Sequence, residues 1–440
     1  MKNVMPVFAK CAAFGAIFAV LFGLMARTLR YFPDYRNYQT IGGFYHESEN
    51  SLDAVYLGSS NCYTFWNAPA AWNRYGLTVY PYASASQPFC ATEYLIRETR
   101  KTQPDALFIV NVNGVEADDL DATSIHYLVS FMPDSELKSE LTEYLADLLD
   151  YSEIDKLEFK FPWLRNRELW LHRLLNGPLP TLNGLKGAPT YERHLDSSMA
   201  MDISDRHIYE SRAGIPQALT NAVTGLLDYC SREGIRVLFV VVPRKEDSET
   251  TQGRINTVCD MIRGRGYPVL DMAGLEDEIG LDLTQDYYNG FHTNIHGSIK
   301  FTGYLCRYLI SHYGMKDKRG RDGYESWDTA WERYSGIAAP WTLDIEWDTA
   351  HRDHTLIKPE SITAAKDGSV WWDAVTGAEG YAIYRKTGEA GAWERLGDVE
   401  GTDYEDTMPP EGARYTVVPW RERNGEICYG DFDYAGVEPR

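Results

Sequence analysis

The chain has 440 residues, of which 44% are hydrophobic and 13% aromatic, and a formal net charge of −21. That length exceeds one compact domain, and the composition is that of a folded protein rather than a disordered one. The strongly negative charge argues against a nucleic-acid backbone as the partner. Seven scattered cysteines without a C-x-x-C pair indicate neither a disulfide framework nor a zinc site, so most of them are predicted to be small core residues.

The first thirty residues are predicted to form a membrane anchor. Residues 11–26 carry no charge, and the apolar stretch continues beyond Lys10, whose side chain can extend to the headgroups. The total approaches the ~20 residues that a bilayer crossing needs. A cleaved signal peptide is the alternative, although no convincing small-x-small cleavage site precedes Arg27. Basic residues flank both ends, so charge bias does not set the orientation. Three tyrosines fit an interfacial belt beyond the span: Tyr31, Tyr35 and Tyr38.

A short apolar run, residues 53–57, is followed at once by Gly58, Ser59 and Ser60. The run predicts a buried strand, and residues 63–74 predict a loop that leads into a short helix. A tight turn between a strand and a helix presents a serine hydroxyl at the carboxyl edge of a sheet, where backbone N–H groups can hold an oxyanion. A plain turn is the alternative, because Gly and Ser dominate turns everywhere.

Between residues 50 and 315, short apolar runs alternate with helical patterns. The runs over 78–83, 106–112, 236–242 and 268–272 predict strands, and the patterns over 92–101, 217–232, 254–263 and 298–313 predict helices. Strands that are apolar throughout, such as 237–242, are typical of a sheet buried on both faces. We therefore predict the α/β fold class, with a parallel sheet and helices on each side.

Residues 115–215 interrupt this alternation with a helical insertion, in which residues 136–149 have the pattern of an amphipathic helix. An insertion at the catalytic edge of a sheet can act as a lid or as a platform for an acceptor, or it can simply pack on the sheet. Residues 316–350 are charged and rich in tryptophan, with Trp327, Trp341 and Trp347 among them, and are predicted to pack back on the main domain.

The pattern changes again after residue 354. Short alternating runs over 361–365, 369–372, 381–386 and 415–421, separated by turns, predict an all-β sandwich over residues 355–440. The sequence around Trp372 and Tyr381 resembles fibronectin type III modules. That resemblance concerns the fold more than the function, because such modules are commonly spacers or adhesion units.

A second polar segment, residues 286–302, precedes the last predicted helix of the α/β region and contains Asp286, Asn289 and His292. A serine hydroxyl becomes a nucleophile when a base takes its proton, and a third group must hold that base in one tautomer. Ser60, Asp286 and His292 supply these roles in the order Ser, Asp, His. His296 has the spacing of a metal pair with His292, but no third ligand is compelling, so no metal or organic cofactor is predicted.

These segments resemble the SGNH (GDSL-type) hydrolase family over residues 48–315. The closest resemblance is to its membrane-anchored surface branch, which includes alginate O-acetylation proteins and D-alanyl transfer proteins. The resemblance implies a flavodoxin-like three-layer domain over residues 45–350, with Ser60 of Gly-Ser-Ser as the nucleophile. It also implies an oxyanion site made by the N–H of Ser60, by Ala83 in the second family motif, and by the side chain of Asn113 in the third.

The chain departs from the family in its fourth motif, Asp-x-x-His, because Asn289 stands three residues before His292. An asparagine can accept a hydrogen bond from the ring, but it cannot neutralise the imidazolium that forms. In a serine protease the corresponding change costs ~10⁴ in turnover. We therefore favour Asp286 as the group that orients His292. A Ser60–His292 dyad and a degenerate, non-catalytic site are the alternatives.

The resemblance implies a single-pass membrane protein whose main domains lie outside the cytoplasm. It would cleave or transfer acyl esters, with O-acetyl groups on a cell-surface glycan as the expected substrate. Its expected partners are the acylated polysaccharide, the membrane and a multi-span membrane acyltransferase, with no nucleic acid. The alternative function is that of a surface adhesion or scaffold protein that keeps the SGNH fold without catalysis.

Overall fold

A computed structural model gives the structure of the protein. It describes residues 4–29, 35–116, 121–169, 171, 175, 182–188, 207–245, 247–283, 286–337, 356–388, 393–423, 426–430, 432–433 and 435–440. Much of the predicted insertion between 170 and 206 lies outside the described residues, as do the interfacial Tyr31 and the tryptophans at 341 and 347.

The chain begins with a long apolar helix, α1, at Val4–Thr28. Its segment Ala9–Ala26 has the length and composition of a membrane span, and 0% of that segment is buried inside the protein. At about 1.5 Å per residue these 18 residues extend ~27 Å, close to the ~30 Å hydrocarbon core of a bilayer. A signal sequence near an N-terminus has the same features, so the anchor stays a prediction.

Within the described residues, five strands form a parallel sheet in the order β2-β1-β3-β4-β5. They are β1 Ala54–Gly58, β2 Val79–Ala83, β3 Leu107–Asn111, β4 Val237–Val241 and β5 Val269–Asp271. Every residue of β2, β3 and β4 is buried, which requires cover on both faces and confirms the predicted α/β class. The strand order reverses between β1 and β3, and ligands of open α/β sheets bind at the carboxyl ends of the strands there.

The helices beyond α1 have the following bounds: α2 Ser60–Phe65, α3 Ala68–Tyr75, α4 Thr92–Thr99, α5 Ala122–Val129, α6 Glu136–Leu148, α7 Glu153–Lys160, α8 Pro162–Arg165, α9 Gln217–Glu233, α10 Glu249–Gly264, α11 Glu276–Ile279 and α12 Ile295–Tyr313. A short helix, Tyr35–Asn37, continues as a π-helix, Tyr38–Gly42. A small antiparallel hairpin, β6 Tyr287–Asn289 and β7 His292–Thr293, lies between α11 and α12 in the chain.

Several helices begin earlier than the sequence-based expectation, among them α12, which begins at Ile295 and not at 298. Helix α10 begins five residues earlier than expected, because Ser248 Oγ accepts a hydrogen bond from Thr251 N at 3.1 Å and caps it. Residues 63–74 were predicted as a loop that leads into a short helix. The short helix is present as α3, and the loop is reduced to Trp66 and Asn67 because α2 starts at Ser60 itself. Asn67 Oδ1 accepts from Ala70 N at 3.1 Å and starts α3.

The described part of the insertion packs on the rest of the molecule. Tyr144 in α6 stacks on Tyr94 in α4 with ring centroids 5.4 Å apart. Trp163 in α8 meets Phe22 of α1 edge-on at 5.1 Å. These contacts favour the packing interpretation over a lid for this part. Trp327, in helical residues 325–337, is 1% exposed within the main core, in agreement with the predicted return of that segment.

The C-terminal described residues form strands of a β-sandwich with its own core. The strands are β8 Ile362–Ala364, β9 Ser369–Trp372, β10 Gly380–Thr387, β11 Glu394–Val399, β12 Asp403–Glu405, β13 Ala413–Arg423 and β14 Glu426–Tyr429. They pair antiparallel in two sheets, ordered β11-β10-β13-β14 and β12-β9-β8. Trp372 is buried and meets Tyr381 edge-on at 5.3 Å, which joins the two sheets.

Candidate active site

The turn after β1 needs the glycine at its centre. Gly58 has φ of 152°, which side chains rarely adopt, and a Cβ there would lie 2.6 Å from Cys62 Sγ and 2.7 Å from Asn111 Cβ. This turn delivers Ser60, partly exposed, to the first position of α2 at the carboxyl end of β1. The N–H groups of a first helical turn have no intrahelical partner, so the backbone of Ser60 is available as a donor.

A hydrogen-bonded chain of three side chains spans this turn and the β6–β7 hairpin. Ser60 Oγ lies 2.7 Å from His292 Nε2. On the other side of the ring, His292 Nδ1 lies 3.0 Å from Asn289 Oδ1. The structure therefore brings together residues 232 positions apart in sequence, at the edge where the strand order reverses.

The tautomer of the histidine follows from the backbone around it. The N–H groups of Phe291 and His292 donate to Asn289 Oδ1 at 2.9 and 3.0 Å. Because only the oxygen of the amide can accept, these two donors fix which end of Asn289 faces the ring. His292 Nδ1 must then carry the hydrogen, and Nε2 is left to accept from the hydroxyl of Ser60. This is the arrangement that a serine nucleophile and its general base require.

The electrostatic environment keeps this base neutral. Burial, together with the positive charges of Arg244 and Arg36, lowers the pKa of His292 to about 4. Each of these effects disfavours the imidazolium, and Asn289 has no charge to oppose them. The ring also stacks on Tyr288 at 5.4 Å, which restricts its rotation. The site therefore holds a base that is ready to accept a proton over most of the pH range, but it is a weak one.

The histidine hairpin is fastened from several directions. Asn61 Nδ2 donates to Phe291 O at 2.7 Å, which ties the hairpin to the residue after Ser60. Thr293 Oγ1 donates to Thr64 O, also in α2. On the β4 side, Lys245 N donates to Gly290 O at 2.8 Å. These bonds set the distance between Ser60 and His292 before any substrate arrives.

The structure corrects the preference for Asp286 as the group that orients the histidine. Asp286 is 1% exposed, and its Oδ2 accepts from Lys300 Nζ at 2.9 Å and from Asp282 N at 2.6 Å. A buried ammonium needs a counterion, and Lys300 lies on the inner side of α12, so it takes this carboxylate. The group on His292 Nδ1 is Asn289 instead. His296, the residue considered for metal spacing, is buried, and its N–H donates to Asn294 Oδ1.

The Asp286–Lys300 pair predicts a stability effect without a direct chemical one. Removing one member of a buried pair leaves an unpaired charge, so Asp286→Ala should destabilise the main domain by about 3–5 kcal/mol. The measurement is the shift of the main-domain unfolding transition. The double change Asp286→Leu with Lys300→Met should recover much of the loss. The matched control is Asp260→Ala, which breaks the exposed pair with Arg212 and should barely move the transition. An equally small effect of Asp286→Ala would contradict the buried-pair role.

The predicted oxyanion residues Ala83 and Asn113 both lie at the carboxyl edge of the sheet, but their contacts differ. Ala83 ends β2 and pairs in register with Gly58, next to the turn that carries Ser60. Asn113 is fully buried, and both ends of its amide bond to Val242, with Val242 N donating at 2.7 Å and Asn113 Nδ2 donating to Val242 O at 3.1 Å. Its side chain thus extends the β3–β4 pairing. A Cβ on Gly114 would lie 3.9 Å from Ser59 Oγ, so the backbone of Gly114 also borders the turn that carries Ser60.

Several residues of the site escaped the sequence-based reasoning. Asn61 positions the hairpin, while Arg244 and Arg36 set its electrostatics. Arg244 lies over the ring of Phe291 at 5.4 Å. The position of Asn61 directly after the nucleophile was a usable signal. Nothing in the sequence places Arg36 near His292, because that proximity depends on where the short helix Tyr35–Asn37 lies in the fold.

Comparison with known proteins adds little. No family model matches the chain, and no curated protein matches it. Among solved structures, the chain is similar to a crystal structure of an Fn3-like protein from Clostridium thermocellum at 22% sequence identity, over 18% of this chain and 88% of that one, with a TM-score of 0.15.

Proposed function

We propose that this chain is an SGNH-type serine esterase or O-acyltransferase that acts outside the cytoplasm on acyl esters, in particular O-acetyl esters, of a cell-surface glycan. The observation that carries the proposal is the continuous hydrogen-bonded chain from Asn289 through His292 to Ser60. Its position at the carboxyl edge of β1, where the strand order reverses, supports a ligand site there.

The first half-reaction follows from the tautomer. His292 Nε2 takes the proton of Ser60 Oγ as the oxygen attacks the ester carbonyl carbon. Backbone N–H groups at the start of α2 stabilise the resulting oxyanion. The imidazolium then gives that proton to the departing sugar oxygen, the C–O bond of the ester breaks, and an acyl–Ser60 ester remains.

The second half-reaction reverses these steps with a new acceptor. His292 takes a proton from water or from a sugar hydroxyl, whose oxygen attacks the acyl carbonyl, and Ser60 leaves with its proton restored. Hydrolysis and transfer differ only in which acceptor reaches the acyl group. In the proposed arrangement, α1 anchors the domain to the membrane.

The test is ester turnover by the full-length protein in detergent micelles. We expect p-nitrophenol release from p-nitrophenyl acetate, and acetylated Ser60 by peptide mass spectrometry after an acid quench. An added saccharide that gains acetyl groups would indicate transfer, whereas free acetate alone would indicate hydrolysis. If neither p-nitrophenol release nor acetyl–Ser60 is found, the enzymatic proposal is wrong, and a non-catalytic surface scaffold is the remaining function.

A further inference from the structure

We propose that α7 and α8 form a second membrane contact beside α1, and that the cavity next to them holds a phospholipid of the same leaflet. We call the apolar side chains that this region leaves exposed or half-buried, Leu157, Phe161 and Trp163, the interfacial face. The inference rests on the proposed anchoring by α1, but it does not depend on the catalytic activity.

The contact with α1 sets the depth of the interfacial face. Trp163 of α8 meets Phe22 edge-on at 5.1 Å, and Asn166 Nδ2, just after α8, donates to Leu29 O at 2.8 Å, just after α1, so this region is held at two points near the end of α1. Phe22 lies four residues before Ala26, the end of the apolar segment, which corresponds to ~6 Å along a helix. If Ala26 lies at the bilayer surface, Trp163 therefore lies within the interface.

The chemistry of α7 and α8 suits that depth. Leu157 is 41% exposed and Phe161 is 46% exposed, and the ring of Phe161 lies 6.3 Å from the ring of Trp163, so these apolar side chains are grouped and not scattered singly. Lys160 is exposed between them in sequence and can reach phosphate groups. Helices that lie in a bilayer interface combine such apolar side chains with lysine, and tryptophan is enriched at the same level.

A cavity of about 590 Å³ opens beside this face. Its apolar lining includes Ala26 and Phe159, and its basic lining includes Lys138, Lys156 and Lys160. Because Ala26 ends the apolar segment, the cavity lies at the level of the lipid headgroups. Lys138 pairs with Asp134 and Lys156 pairs with Asp147, so Lys160, at the end of α7, is the lining cation placed to meet a headgroup phosphate. An apolar wall with adjacent charges matches a phospholipid better than it matches a soluble ligand.

The experiment is photo-crosslinking in the full-length chain, reconstituted into vesicles that contain alkyne-tagged phosphatidylcholine and phosphatidylglycerol. Phe161→p-benzoylphenylalanine should form a lipid adduct at about ten times the yield of the same change at Met408, which is 82% exposed in the C-terminal sandwich. The same change at Phe18 reports whether α1 is in the bilayer, and p-nitrophenyl acetate turnover in the same vesicles reports catalysis separately.

The outcomes separate the two proposals. Lipid labelling at Phe18 without labelling at Phe161 overturns the interfacial face and leaves the anchor intact, while absence of labelling at both sites removes the anchor and this inference together. An adduct between two copies of the chain at Phe161 also overturns it. For the cavity, Thr142→Trp should reduce the adduct yield at Phe161 relative to Thr142→Ser, because Thr142 lines the cavity and the indole would fill it. Equal yields would overturn the assignment of a lipid to the cavity.

Discussion

Replacing Ser60 by alanine should lower the turnover of p-nitrophenyl acetate by about 10⁴-fold or more, because the attacking atom is lost while binding and the oxyanion donors remain. A serine-directed organophosphonate should label the wild type and fail to label Ser60→Ala. The measurements are initial rates, corrected for spontaneous hydrolysis, and the mass of the labelled peptide.

Two variants control for the local contacts. Ser59→Ala removes a hydrogen bond of 3.3 Å to Asn61 Oδ1 and should change turnover by less than about tenfold, in line with the worth of one such bond. Ser311 offers a matched Ser–His contact elsewhere, since its Oγ lies 2.8 Å from His312 Nδ1 on the exposed end of α12. Ser311→Ala should have no effect. Labelling that survives Ser60→Ala and vanishes in Ser59→Ala would move the nucleophile by one residue.

The second large effect concerns Asn289. Asn289→Ala removes the acceptor for His292 Nδ1 and for two backbone N–H groups, so the ring loses its fixed tautomer. Turnover should fall by about 10²-fold or more, because a positioned general base contributes ~10²–10⁴. Asn289→Asp should act in the opposite direction. A carboxylate at this distance raises the pKa of a histidine by about 1–3 units and stabilises the imidazolium, so turnover should rise by about tenfold or more.

The pH profile separates this positioning role from a merely structural one. In the wild type, kcat/KM should stay level as the pH falls and should drop only near the His292 pKa of about 4, where the base becomes protonated. In Asn289→Asp the same drop should begin at a higher pH. Brief assays started from enzyme held at neutral pH avoid acid unfolding. In Asp286→Ala the pH at which kcat/KM drops should be the same as in the wild type. If that pH shifts in Asp286→Ala and does not shift in Asn289→Asp, Asp286 is the orienting group after all.

The elements that the sequence predicts well are those whose signal is local. Residues 237–242 are apolar throughout, and β4 occupies most of them because only a doubly covered sheet can bury such a run. The turn at Gly58 and the histidine segment could also be predicted from the sequence, because the candidate nucleophile and its base are indicated by residue types at the ends of strands and helices. The prediction of an α/β sheet needed no long-range information.

The orienting group could not be assigned in the same way. Asp286 and Asn289 both precede His292, and the choice between them depends on Lys300, fourteen positions beyond Asp286 in the next helix. A lysine between Ile299 and Phe301 on a largely buried helix indicates that a nearby carboxylate forms an ion pair with it and is therefore not available to His292. The contacts of Asn113 could not be predicted for a related reason. Its amide forms hydrogen bonds with Val242 at the end of β4, which is far away in sequence.

The short distance in sequence between α1 and Arg36 limits how far the candidate site can lie from a membrane. Arg36 is close enough to act on the charge of His292, and it stands only ten positions after Ala26. An extended chain of that length reaches at most about 35 Å. If α1 crosses a membrane and Ser60 is the nucleophile, as proposed, Ser60 therefore works within a limited height above the lipid. A glycan rooted in that membrane would be modified within its first few sugars, while its distal end would pass overhead untouched. The polymer would then carry a graded acylation pattern that records the height of the enzyme.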